Sequence, residues 1–204
     1  MNIGIIALKS SNYKSIGRAL DWLEVEYTFI NNSNELQKIS HIILPGVSSF
    51  SSTINELIAR KLIGGIEKLK NLGMPILGLC AGMQIMGANS EENPGVPGLG
   101  WFDFSVETIK SNFNSQIRSF HTGWNDVYDY SQNSFTSLPG VFYFNHSFYV
   151  RKLPDKETYG KTDHGGMFAS IVRKENIIGA QFHPEKSQSK GLDFLRNFIH
   201  LNYD

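Results

Sequence analysis

The sequence predicts an α/β fold with a mainly parallel sheet, covered by helices on both faces and continued by an antiparallel extension. Three observations lead there. In the first half, short β-branched apolar runs alternate with stretches whose apolar residues recur at helical spacing, the pattern of a parallel sheet with crossover helices. Beyond about residue 90, strand-like runs follow one another through turns with no long helix between them, which suits mixed or antiparallel pairing. An amphipathic helix closes the chain.

NIGIIAL opens the chain as a buried strand, since it is a short β-branched apolar run. SNYKSIGRALDWL places Ile16, Leu20 and Leu23 on one helical face. VEYTFI and HIILPG are the second and third strands, the third ended by Pro45 and Gly46. From Ser51 to Leu72, the residues Ile54, Leu57, Ile58, Leu62, Ile66 and Leu69 form one helical face, with a break or bend expected near Gly64-Gly65. PILGL is the fourth strand and AGMQIMGA a short helix. GLGWFDFSVETI, GWNDVYDY, GVFYFNHSFYV, MFASIVRKEN and IIGAQFHPE read as strands joined by turns. In SKGLDFLRNFIHLNY, Leu192, Leu195, Phe198 and Ile199 share one side of the last helix.

A chain of 204 residues is most simply one domain, taken here as residues 1–204. It is long enough to bury roughly 70% of its unfolded surface without a disulfide or metal staple. Its 19 basic and 19 acidic residues balance and do not cluster, which argues against nucleic acid as a partner. MNIGIIALKS lacks the basic lead and cleavage site of a signal peptide, and no segment reaches the ~20 apolar residues of a membrane span. A lone cysteine, Cys80, cannot form an internal disulfide and fits a reducing, cytoplasmic setting. Neither a metal nor a cofactor is expected.

Gly78-Leu79-Cys80-Ala81-Gly82 has the form G-x-C-x-G between a strand and a helix, the nucleophile-elbow pattern with sulfur in place of oxygen. A tight strand-to-helix turn strains the nucleophile and projects it from the C-terminal edge of the sheet, where open α/β folds bind ligands. The helix N-terminus favours a thiolate, and the Ala81 N–H points toward a developing oxyanion. The alternative is a small buried hydrophobe, common for a free cysteine, so a partner base must decide. Among six histidines, His41 and His200 read as structural or surface and His164 lies in a turn. His183 ends an apolar strand within His183-Pro184-Glu185. Residues i and i+2 of an extended segment share a face, so Glu185 can orient the ring, and Pro184 stiffens the pair. His183 would then take and return the Cys80 proton.

PILGLCAGMQIM with GAQFHPEKSQSKGLDFLRNF resembles the class I, or triad, glutamine amidotransferases. LPGVSSF, GLGW, HTGWN and YFNHSFYV narrow the resemblance to the glutaminase subunit of imidazole glycerol phosphate synthase, across essentially the whole chain. The resemblance implies a flavodoxin-like domain that hydrolyses glutamine to glutamate and ammonia. It assigns Cys80 as nucleophile, His183 as base and Glu185 as orienter. It implies substrate contacts from Gln84, Ser147 and Phe148, and oxyanion donors from Ala81 and the Pro45-Gly46-Val47 turn. It also implies a heterodimer with a (β/α)₈-barrel cyclase subunit, which uses the ammonia to make imidazole glycerol phosphate and AICAR in histidine biosynthesis. Asn12, Trp124, Asn125, Tyr143 and Lys186 match positions facing that partner.

Two stretches depart from the family. ALKSSNYKSI replaces the usual Asp-Tyr-Gly-x-Gly-Asn loop, and Ser48 stands where P-G-V-G has its last glycine. Glycine eases a peptide flip in that loop and serine hinders it. The alternative acceptor is a surface-polysaccharide sugar on a barrel-like partner. A non-catalytic regulatory subunit is opposed by the intact Cys80, His183 and Glu185. A free-standing cysteine hydrolase is opposed by HTGWN and YFNHSF.

Overall fold

The structure is a computed structural model that describes residues 1–9, 11–109, 119–129, 139–151 and 155–201. Its first half alternates as expected: β1 (Ile3–Ile6), α1 (Tyr13–Trp22), β2 (Tyr27–Ile30), β3 (His41–Gly46), α2 (Phe50–Ala59), α3 (Ile63–Asn71), β4 (Ile76–Cys80) and α4 (Ala81–Gln84). Then come β5 (Asn89–Ser90), β6 (Ser105–Thr108), β7 (His121–Asp129), β8 (Gly140–His146), β9 (Phe148–Val150), β10 (Thr158–Asp163), β11 (Met167–Lys174) and β12 (Ile177–Ala180). The helix α5 (Gln188–Ile199) follows.

The strands β2-β1-β3-β4-β12 lie side by side and pair in parallel. With β12 counted as the fifth strand, this is the flavodoxin-like 2-1-3-4-5 order. From β12 the sheet continues through β11, β10, β7 and β8, each pair antiparallel. The parallel strands are apolar on both faces because both are covered. Ile42, Leu44 and Ile76 face a core with Phe50, Ile54 and Leu57 of α2 and Ile66 of α3. Ile43, Leu77 and Leu79 face the opposite core, with Ile16 and Leu20 of α1 and Phe194, Leu195 and Phe198 of α5. At roughly 25 cal/mol per Å² of apolar area, such two-sided burial is the main stabilising term.

Two expectations are corrected, and one strand was not foreseen. The helical face from Ser51 to Leu72 breaks at Arg60–Leu62, before the glycine pair. The Leu62 N–H donates to the Leu57 carbonyl and the Lys61 N–H to that of Ile58, with Lys61 at φ 56°. That is a Schellman stop with lysine in the left-handed position usually taken by glycine. GLGWFD is no strand. The N–H groups of Leu99, Gly100 and Trp101 donate to the carbonyls of Ile85, Gly87 and Met86, so the segment covers the end of the elbow helix. The strand β10 went unforeseen, because its buried positions are Thr158, Gly160 and Thr162, which give no hydrophobic alternation.

Candidate active site

Cys80 ends β4 with φ 53° and ψ −113°. A non-glycine residue there is strained, and surrounding structure must impose the conformation. The imposition is visible at Gly82, where a Cβ would sit 1.9 Å from the Leu44 carbonyl oxygen. The turn after Cys80 therefore lies directly on β3, and glycine is what lets it. The helix that follows is only one turn long, too short for its dipole to count for much at the sulfur.

The parallel register delivers the other groups. Gly46 of β3 pairs with Cys80, so the turn continuing into Val47 and Ser48 begins beside the sulfur. On the other side Ala180 of β12 pairs with Leu79, and the chain runs on through Gln181 to His183. Cys80, His183, Val47, Ala81, Gln84, Ser147 and Phe148 line one cavity, together with Ser48, Asn145 and His146. Gly46 sits behind it, its α-carbon packed on the backbone of Ala81 and Gly82.

His183 Nδ1 lies 2.9 Å from Glu185 Oε1, and both side chains are buried. Burial alone would pull the imidazole pKa down. The Cys80 sulfur and the Glu185 carboxylate outweigh it, and the pKa rises from 6.5 to about 10. The ring sits between carboxylate and sulfur, and both favour its protonated form. Its backbone is fixed as well: the His183 N–H donates to the Tyr143 carbonyl at 2.9 Å, and Ser187 Oγ donates to the His183 carbonyl at 2.6 Å. His146, the other histidine in the cavity, has both ring nitrogens engaged, with His121 and the Phe148 carbonyl.

Comparison with known proteins adds the lineage. The sequence profile of the family described as glutamine amidotransferase class-I matches residues 5–201. The chain belongs to that family. Among curated relatives, it is 36% identical to the imidazole glycerol phosphate synthase subunit HisH of Leptospira borgpetersenii, over 98% of this chain and 100% of the relative. It is 38% identical to the protein of the same name from Methanocaldococcus jannaschii, over 98% and 99%. Among solved structures, one described as PurLQS from Thermotoga maritima superposes with TM-score 0.77 at 19% identity, over 97% of both chains. A crystal structure of a glutamine amidotransferase gives TM-score 0.76 at 19% identity, over 97% and 96%. At that identity the structures speak for the fold alone.

Within this amidotransferase, Trp124, Tyr143 and Lys186 form one cluster on the outer face of the β7–β8 hairpin. Trp124 and Tyr143 are register partners with ring centroids 5.9 Å apart, and Lys186 Nζ lies 5.6 Å from the Tyr143 ring. Trp124 is 49% exposed, and Phe120, Tyr128 and Val141 are exposed nearby. An apolar stretch left in water beside a site suits a partner. Asn125 instead turns inward, donating to His121 Nε2 at 3.1 Å and to the Asp163 carbonyl at 2.9 Å. Asn12, at the N-terminus of α1, donates from Nδ2 to Glu185 Oε1, which ties it directly to the His183 orienter.

The sequence reading missed Gln181, whose Nε2 donates toward Cys80 Sγ at 3.6 Å and whose Oε1 accepts from Gln84 Nε2 at 3.0 Å. Its signal was present: a glutamine inside the apolar run IIGAQF must satisfy a buried amide. It also missed the Asn145 carbonyl, 3.9 Å from the sulfur, and the clamp made by Ser187. Neither has a local signature. Among the described residues no helix is long and apolar enough to cross a membrane, and no group of side chains is arranged to hold a metal.

Proposed function

We propose that this chain is the glutaminase subunit of an imidazole glycerol phosphate synthase, a cytoplasmic enzyme. It hydrolyses glutamine and passes the ammonia to a (β/α)₈-barrel cyclase subunit in a heterodimer. The observation that carries the reading is Cys80 at a strained elbow, lining one cavity with a His183 whose Nδ1 is held by Glu185. Full-length relatives named as HisH subunits support the choice of pathway.

In the proposed cycle His183 takes the Cys80 proton, which gives the thiolate–imidazolium pair. The thiolate adds to the side-chain carbonyl carbon of glutamine. The N–H groups of Ala81 and of the Val47 peptide receive the oxyanion; one such donor is worth about 3 kcal/mol. His183 gives its proton to the amide nitrogen, the C–N bond breaks, and ammonia leaves a thioester on Cys80. His183, now neutral, takes a proton from water as the water attacks the thioester. Glutamate departs and the thiolate–imidazolium pair is restored. Glu185 holds the ring in the tautomer with Nε2 toward sulfur. Gln84, Ser147 and Phe148 hold the amino-acid end of glutamine, and Trp124, Tyr143 and Lys186 face the cyclase.

The test is glutamate release with and without the cyclase subunit. Cys80→Ala should abolish it while ammonia-dependent ring closure by the complex survives. His183→Ala should abolish turnover at neutral pH, and Glu185→Gln should cost less, because the base remains. Normal turnover in Cys80→Ala would sink the reading.

A further inference from the structure

One wall of the cavity holds His146, which pairs with the buried His121, and the mechanism above uses neither. His146 Nδ1 is 2.9 Å from the Phe148 carbonyl, and its Nε2 is 3.0 Å from His121 Nδ1. His121 Nε2 is 3.1 Å from Asn125 Nδ2. The chemistry of these contacts allows one assignment. A carbonyl only accepts, so His146 carries its proton on Nδ1. Burial, then the neighbouring His121, holds the His146 pKa well below 6.5, so the ring is neutral and Nε2 is bare. That nitrogen must take a proton from His121 Nδ1. His121, pushed down to about 4 by burial and by His164, is neutral too, and its bare Nε2 accepts from Asn125. The Asn125 amide cannot be reversed, because its Oδ1 accepts the Asp126 N–H at 2.8 Å.

Every link therefore runs the same way, from Asn125 to His121 to His146 to the Phe148 carbonyl. The Phe148 carbonyl also accepts from Gln84 Nε2 at 2.8 Å, and Gln84 reaches Cys80 through Gln181. Packing fixes the rings: His121 stacks on Phe144 and His164 with centroids 4.5 and 4.2 Å away, and His146 meets Phe168 edge-on at 5.4 Å. A proton added to either ring would set two N–H groups against each other and break the chain. The charged or titratable neighbours that bear on it are His164, stacked on His121, and His183, across from His146.

We propose that His121 and His146 are a directional hydrogen-bond relay, with both rings as Nδ1–H tautomers, that positions the substrate-holding segment Ser147-Phe148 from the partner-facing strand. His121 is then a positioning residue for glutamine, acting through His146 and the Phe148 carbonyl. The role in substrate binding rests on the glutaminase reading; the tautomers do not.

The two parts are tested separately on the full chain. Long-range ¹H–¹⁵N spectra at neutral pH should show His121 and His146 neutral and protonated on Nδ1. An Nε2–H form of either ring overturns the relay whatever the protein does. For the function, Cys80 labelling by 6-diazo-5-oxo-norleucine, an electrophilic glutamine analogue, is followed by intact mass beside alkylation by iodoacetamide. His121→Phe should raise the half-saturating concentration of the analogue about tenfold, with iodoacetamide alkylation within twofold of wild type. His121→Asn, which restores a donor near the Nδ1 position, should recover most of that loss. An equal loss in both variants, no loss in either, or a parallel fall in iodoacetamide alkylation overturns the positioning role. A wild-type chain that iodoacetamide alkylates but the analogue does not label overturns the glutaminase reading, and that role with it.

Discussion

Ser48 offers the sharpest way to learn how the site is restrained. It stands beside Val47, whose peptide N–H is the proposed second oxyanion donor, and it does more than replace a flexible glycine. Its hydroxyl lies 3.1 Å from Thr53 Oγ1, and Thr53 Oγ1 donates to the Ser49 carbonyl at 3.0 Å. The Thr53 proton is therefore committed, and Ser48 donates to Thr53, which is buried in α2. The loop is tethered to a rigid helix on one side and stiffened by a Cβ on the other. A neutral hydrogen bond contributes about 1 kcal/mol, and the conformational restriction of serine relative to glycine about 0.5–1 kcal/mol. If the isolated chain turns over only when this loop leaves its tethered state, the rate follows the population of the released form. Ser48→Ala, which removes the hydroxyl alone, should then raise basal glutaminase about fivefold, and Ser48→Gly, which removes both restraints, about twentyfold. Partner-activated turnover should change little in either if the partner itself favours the released form. The assay is steady-state glutamate release by the chain alone and with a cyclase subunit. A rise in Ser48→Gly with none in Ser48→Ala would refute the tether and leave only backbone stiffness. A fall in both would mean that the tethered loop is the active one.

Asn12→Ala should lower kcat by an order of magnitude or more with KM nearly unchanged, since a hydrogen bond to a buried carboxylate is worth about 1.5–3 kcal/mol; Asn12 shares Glu185 Oε1 with His183, and Oε2 has no partner among the described residues. Asn12→Asp should be worse at neutral pH and recover in part as the pH falls and the added carboxyl is protonated; steady-state kinetics across pH checks both. Stability should also depend on pH through His121. Its folded pKa of about 4 lies below the ordinary 6.5, so the unfolded chain binds the extra proton. Stability is full above about pH 6.5 and falls toward pH 4, by about 3 kcal/mol for this residue. Urea unfolding at several pH values should show that decline, and His121→Asn should make it shallower.

The local grammar of the chain carried a great deal. β-Branched runs alternating with helical faces determined the parallel half, because a strand buried on both sides has no other way to read. The spacing of Gly78, Cys80 and Gly82 and the pair His183–Glu185 made both ends of the catalytic arrangement visible, since each depends on neighbours within two residues. Tertiary structure decided whatever depends on partners far along the chain. The break at Lys61 was placed by a capping motif rather than by glycine. GLGWFD became a loop because its N–H groups found the carbonyls at the end of the elbow helix. Gln181 and the Ser187 clamp acquired roles only when β12 paired with β4. Asn12 met Glu185 across more than 170 residues of sequence, and the His121–His146 relay exists only because β7 and β8 pair in one register. Periodicity records which face of a segment is apolar; a hydrogen bond also needs direction and distance, and these are set only when the sheet brings the two ends together.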